Sequence, residues 1–140
     1  MRHTRFGKGR RLGASLVEFA FVAPILFVMV LAMIELGRAC MVKELLTEAA
    51  RQACRQSVLE GTSATTVQNT ATNYVTSVGI NGETAAITVN DQPLGSTNLA
   101  TVPAYTEITV VVSVSASSVT WVSTLFVCGT LSGQYTMRRE

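Results

Sequence analysis

Most of the groups that bond-making chemistry relies on are scarce in this chain. Its 140 residues hold one histidine, His3, and one aspartate, Asp91, and only 14% are charged. No Cys-His pairing, zinc-type ligand spacing, Gly-rich phosphate loop or nucleophile-elbow motif occurs. These absences argue against an enzyme and lead us to expect no cofactor, no metal and no small-molecule substrate. There is a single tryptophan and there are three prolines, at positions 24, 93 and 103. Long stretches are therefore free to continue as helix or strand.

The apolar residues are concentrated in one place. From Phe19 to Ile34 the chain runs 16 residues without a charge, and 14–34 is broken only by Glu18. That length suffices for a helix to cross about 30 Å of hydrocarbon. The formal charge of +2 hides an asymmetry. Arg2, Arg5, Lys8, Arg10 and Arg11 precede residue 14 with no acid among them, whereas the remainder carries six Lys/Arg and nine Asp/Glu, a net of −3. A basic head could also be a nucleic-acid arm. Placed against an apolar run it sets topology instead, with the N-terminus cytoplasmic and the rest translocated, and no nucleic acid is expected as a partner. A cleaved secretory signal fits poorly, because the run exceeds the usual h-region of roughly 7–15 residues and no Ala-x-Ala site follows.

Beyond the apolar run the helical period persists. Val42, Leu45/Leu46, Ala49, Ala53 and Ser57/Val58 fall on one face, and Lys43, Glu44, Glu48, Arg51, Gln52 and Arg55 on the other. One helix over 14–60, stopped by Gly61, would measure about 70 Å. Thr62 or Ser63 can cap a second helix to about Val78, with Val67, Ala71 and Tyr74/Val75 on its inner face. The period then changes to two. Ala85–Asn90, Tyr105–Ala116 and a last segment through Leu131, Gly133, Tyr135 and Met137 read as strands, with Gln92–Pro103 as a loop and Ser117–Cys128 ambiguous. The fold class expected is α+β: a pilin-like lollipop with a long N-terminal helix, a second helix and a three-stranded antiparallel sheet. Its parts are a basic leader (1–13), a transmembrane segment (14–36), a helical stem (37–61) and a small extracytoplasmic head (62–140).

Glu18 is the telling residue. A carboxylate inside a span costs about 2.5–3.5 kcal/mol on insertion scales and implies a partner or a function. A basic leader, a glycine, four residues, Glu-Phe and then an apolar run resembles the type IV prepilin N-terminus. More narrowly, the chain resembles TadE-like pseudopilins of the tight-adherence (Flp-type) pilus. The residues carrying this are Arg10-Arg11-Leu12-Gly13, Val17-Glu18-Phe19-Ala20, Pro24, Ile34-Glu35-Leu36-Gly37-Arg38, Ala49-Ala50-Arg51 and Arg55. The terminal Thr136-Met137-Arg138-Arg139-Glu140 matches more weakly. Cys54 departs from the pattern, standing where a small residue is expected.

The resemblance implies processing by a prepilin peptidase between Gly13 and Ala14, which makes Glu18 the fifth residue of the mature chain. It also implies assembly through Glu18 and Phe19 with other pilins and Tad-type proteins, in or from the bacterial inner membrane. Two rivals remain: an uncleaved membrane-anchored adhesion or sensor module, and a type II secretion pseudopilin. Cys40 and Cys54 are too far apart on one helix to pair. In an oxidising compartment Cys54–Cys128 could staple the head, or all three cysteines could be small buried residues. The spacing leaves both readings open.

Overall fold

The computed structural model describes residues 9–59, 61–89, 92–94, 99–119 and 129–139, and, except at 9–12 and 100, their side chains. The leader residues 1–8 and the ambiguous stretch 120–128 lie outside that description. The contacts divide the chain into two units, Met1–Ile34 and Glu35–Glu140.

Helix α1 runs Gly9–Ser57 with Pro24 inside it, so it starts within the segment read as a leader. From Leu16 to Ile34 every large apolar side chain is exposed. Within the second unit the expected stripe is buried: Val42, Leu46, Ala49, Ala50, Ala53 and Cys54 are all at 5% exposure or less. The opposite side carries an ion pair between Arg51 and Glu48 at 3.7 Å. The helix ends as Ser57 Oγ donates to Cys54 O at 2.6 Å. A turn then leads to Gly61, whose φ of 75° is a left-handed conformation that glycine adopts without strain.

Helix α2 spans Ala64–Ser77 and is capped by Ser63, whose Oγ accepts from Thr66 N at 3.2 Å. At its end Gly79 N donates to Thr76 O and Ile80 N to Val75 O, a Schellman closure that turns Ile80 into the core. Five threonines make α2 intrinsically weak. Burial of Val67, Ala71 and Val75 holds it in place.

The sheet contains four strands where the alternation gave three. In chain order they are β1 (Glu83–Val89), β2 (Gln92–Pro93), β3 (Glu107–Ser115) and β4 (Thr130–Arg138), arranged β2-β1-β3-β4 and antiparallel throughout. The additional strand, β2, comes from the segment read as a loop. Val89 pairs with Gln92 and Thr88 with Pro93, leaving the two-residue connection Asn90-Asp91. Such a short pairing leaves no periodicity to detect. Ser117 also proves to belong to a 3-10 turn over Ala116–Ser118.

Ile108, Val110, Val112 and Val114 bury the β3 face toward the helices at 1% exposure or less. The other face is polar, with Thr109 and Thr136 hydroxyls 2.8 Å apart across β3 and β4. Both helices lie on the apolar face. Near β1, Gln68 Nε2 donates to Ala85 O at 3.5 Å, and Cys54 Sγ of α1 reaches Ile108 O at 3.4 Å. At Gly133 the α1 backbone sits directly on β4. A Cβ there would fall 2.7 Å from Thr47 Cα and 2.5 Å from Leu46 C.

Candidate functional site

The residues expected to act lie in the first unit and at the start of the second. A helix apolar on every side must be covered by protein or by lipid. In α1 none of the most apolar 18 residues is buried by the rest of the chain, and the helix is long and apolar enough to cross a membrane. Phe19, Phe21 and Ile25 are exposed at 68%, 75% and 72%. Fifteen large apolar side chains from Leu16 to Leu36 are open in this way. At roughly 1.5 kcal/mol each, covering them is worth on the order of 20 kcal/mol. The penalty for one carboxylate at about 2.5–3.5 kcal/mol is far smaller, so Glu18 cannot keep the helix out of a bilayer. The segment fits a single-pass membrane protein.

Gly13 and Ala14 sit on α1 with nothing crowding them; no heavy atom lies within 4 Å of where a Gly13 Cβ would be. Glu18 and Phe19 follow one turn later, both exposed. The Gly13–Ala14 bond and the Glu18 carboxylate are thus on a single helical element that the other described residues leave uncovered. Among the described residues no ion pair reaches Glu18.

Glu35 is 2% exposed, while Arg38 is half-buried and Leu36 and Gly37 remain open. Glu35 is the first residue of the second unit. Sequence reasoning missed this burial, since an acidic residue after an apolar run has no local sign of being covered.

Cys54 is a buried free thiol and Cys40 an exposed one. Burial pushes the Cys54 thiol above its ordinary pKa, against the lowering effect of the Ser57 hydroxyl and of the Met137 and Val110 backbones. The other half of the expected Cys54–Cys128 staple lies outside the described residues. Among the described residues no three His, Cys, Asp or Glu side chains come together as a metal site requires.

A second place where side chains gather is the flank of α1 beside β4. A groove of about 450 Å³ lies there, walled by Cys40, Lys43, Glu44, Thr47, Glu48 and Arg51 and by Tyr135 from the sheet. The Arg51 guanidinium rests 5.1 Å from the centre of the Tyr135 ring.

Comparison with known proteins bears on the N-terminal third. Residues 13–55 match the family model of TadE-like protein. The resemblance carried by Val17-Glu18-Phe19, Pro24 and Glu35-Leu36-Gly37-Arg38 is thereby borne out over that segment. No curated protein and no solved structure matches the chain.

Proposed function

From the TadE-like character of residues 13–55 we propose that this chain is a pseudopilin-like component of a tight-adherence pilus apparatus. The observation that carries the reading is an uncovered apolar helix containing one carboxylate, Glu18, within the matched segment. A prepilin peptidase cuts between Gly13 and Ala14 on the cytoplasmic side. The new amine at Ala14 and the Glu18 carboxylate are then two opposite charges held near one membrane depth. Each is costly in lipid alone, and pairing across subunits offsets part of both penalties. Glu18 therefore fixes the register of lateral assembly, Phe19 and the following apolar side chains supply its area, and the head lies outside the cytoplasm in contact with other pilus proteins. In this role the chain is not an enzyme and needs no cofactor.

N-terminal sequencing of membrane-extracted protein from cells with an active prepilin peptidase tests the cut. Ala14 is the expected first residue; an intact Met1 would favour the uncleaved anchor. Glu18→Ala should be processed and inserted as the parent is, yet be recovered with pilus components at a small fraction of the parent level. Full recovery would leave Glu18 without an assembly role.

A further inference from the structure

Helix α2 and strand β1 are joined by a turn that holds the chain's one Asn-Gly pair, Asn81-Gly82. Both ends of the turn are fixed. Ile80 is buried and its N donates to Val75 O at 3.2 Å, while Glu83 opens β1 opposite Val114. Asn81 and Gly82 between them are exposed and belong to neither element.

An Asn-Gly pair ordinarily marks a turn and nothing more. This turn does not need the asparagine. Gly82, at φ 80°, takes the left-handed conformation, and among the described non-glycine residues only Tyr105 has a positive φ, so Asn81 does not. Among the described residues the Asn81 side chain makes no hydrogen bond, and Gly82 N donates to no carbonyl. No heavy atom lies within 4 Å of where a Gly82 Cβ would be, so the approach to that nitrogen is open. A shallow cavity of about 240 Å³ adjoins Gly82, walled by Thr84, Ser113, Val114, Ser115 and Thr130. Solvent therefore reaches the peptide between the two residues. Asn69 and Asn73 differ on each count. They lie inside α2, and the nitrogens that follow them, on Thr70 and Tyr74, are held in the helical ladder.

We propose that Asn81 is a modification site, at which the backbone nitrogen of Gly82 attacks Asn81 Cγ and closes a succinimide ring. The N–Cγ bond forms, the bond from Cγ to the side-chain nitrogen breaks, and that nitrogen leaves as ammonia with the proton from Gly82 N. Water then opens the ring at either carbonyl. Opening at one gives aspartate; opening at the other gives isoaspartate, in which the main chain runs through Cγ. The sequence is redox-neutral and water is the sole co-reactant. Either product sets a carboxylate close to Glu83, whose Oε1 accepts from Thr76 Oγ1 at 3.0 Å. The second unit, with six Lys/Arg and eight Asp/Glu, moves from a net charge of −2 to −3. Ile80 and Glu83 hold the ends, so the turn absorbs the change and the rest of the unit keeps its fold.

Full-length protein in detergent is incubated at mildly alkaline pH in heavy-oxygen water, then returned to ordinary water for digestion. A glutamate-specific protease frees residues 61–83, which carry Asn69, Asn73 and Asn81 on one peptide. Fragmentation locates the incorporated oxygen, and methyl transfer by an isoaspartyl methyltransferase reads isoaspartate independently. Position 81 should take up label at least about tenfold faster than 69 and 73, which react only as α2 opens. Its rate should also lie within about tenfold of that in the same protein unfolded in urea, because folding leaves Gly82 N open. Asn81→Gln keeps an exposed amide but would have to close a larger ring. It should lose both signals while its Cys54 labelling midpoint stays at the parent value. A folded rate slower than that limit, or comparable rates at the three asparagines, overturns the proposal. So does an isoaspartate signal that survives in Asn81→Gln.

Discussion

Replacing Gly133 with alanine probes how α1 is seated on the sheet. The new Cβ would lie 2.7 Å from Thr47 Cα, 2.5 Å from Leu46 C and closer still to Thr47 N. All three are backbone atoms in the interior of a helix and cannot rotate away. The helix must lift from β4 or the strand must bend, and overpacking of this kind costs about 1–3 kcal/mol. Alanine recovers roughly 0.5–1 kcal/mol of the entropy that glycine loses in a strand. The upper part of the overpacking range applies because the obstruction is rigid, which leaves a net destabilisation of about 2 kcal/mol. For a unit near 100 residues this lowers the midpoint by about 8–16 °C. The readout is the temperature at which buried Cys54 becomes open to a thiol reagent, resolved by peptide in full-length protein. Gly37→Ala is the comparison, since nothing lies within 4 Å of its Cβ position and α1 is helical there. It should raise the midpoint slightly or leave it unchanged. A Gly133→Ala protein as stable as the parent would refute the close approach of α1 to β4.

Other expectations follow from single contacts. Ser63→Ala removes the acceptor for Thr66 N and should cost about 1 kcal/mol, seen as faster amide exchange across α2. Leu46→Ala empties a site of 0% exposure in the core and should cost about 2–5 kcal/mol, by the same Cys54 labelling midpoint. At neutral pH iodoacetamide should modify Cys40 at least about a hundredfold faster than Cys54, because burial both shields and protonates the latter. Raising a thiol's folded pKa favours the protonated state in the native protein. Its contribution is complete below the unfolded pKa and is lost as pH rises through the folded value, so the unit should weaken above about pH 9 and Cys54→Ala should flatten that decline.

The parts of the fold that could be read in advance are those whose neighbours lie close in sequence. Strand β3 declared itself because Ile108, Val110, Val112 and Val114 repeat with period two. The Ser63 cap did so because a hydroxyl before a helical pattern has a local task. The inner stripe of α1 from Val42 to Ser57 was visible for the same reason, as was the Gly13-to-Phe19 string, which a short motif defines without any fold. What stayed hidden depends on distant partners. The two residues of β2 pair only because β1 presents an edge. Gly133 looked like one more alternating position, although it is small because Thr47, far away in sequence, occupies the space. Tyr105, with φ at 67°, forms a bulge in which its N and Thr106 O both bond Arg139. No residue type nearby announces that conformation. The burial of Glu35 had no local sign, because hydropathy describes a residue's preference and not what is folded over it.

The order of synthesis gives the Gly133 contact a further meaning. The surface on which α1 rests between Leu46 and Cys54 is contributed by β3 and β4, which are translated long after it. During biogenesis the apolar half of the helix can be delivered to the membrane while its other half has nothing to lean on. Ala49, Ala50 and Ala53 make that interval tolerable: small side chains bury well once β4 arrives but offer little for a chaperone or another nascent chain to seize beforehand. On the membrane role proposed above, anchoring and head formation would be separated in time, and a chain stalled before β4 would carry the apolar helix without a finished head.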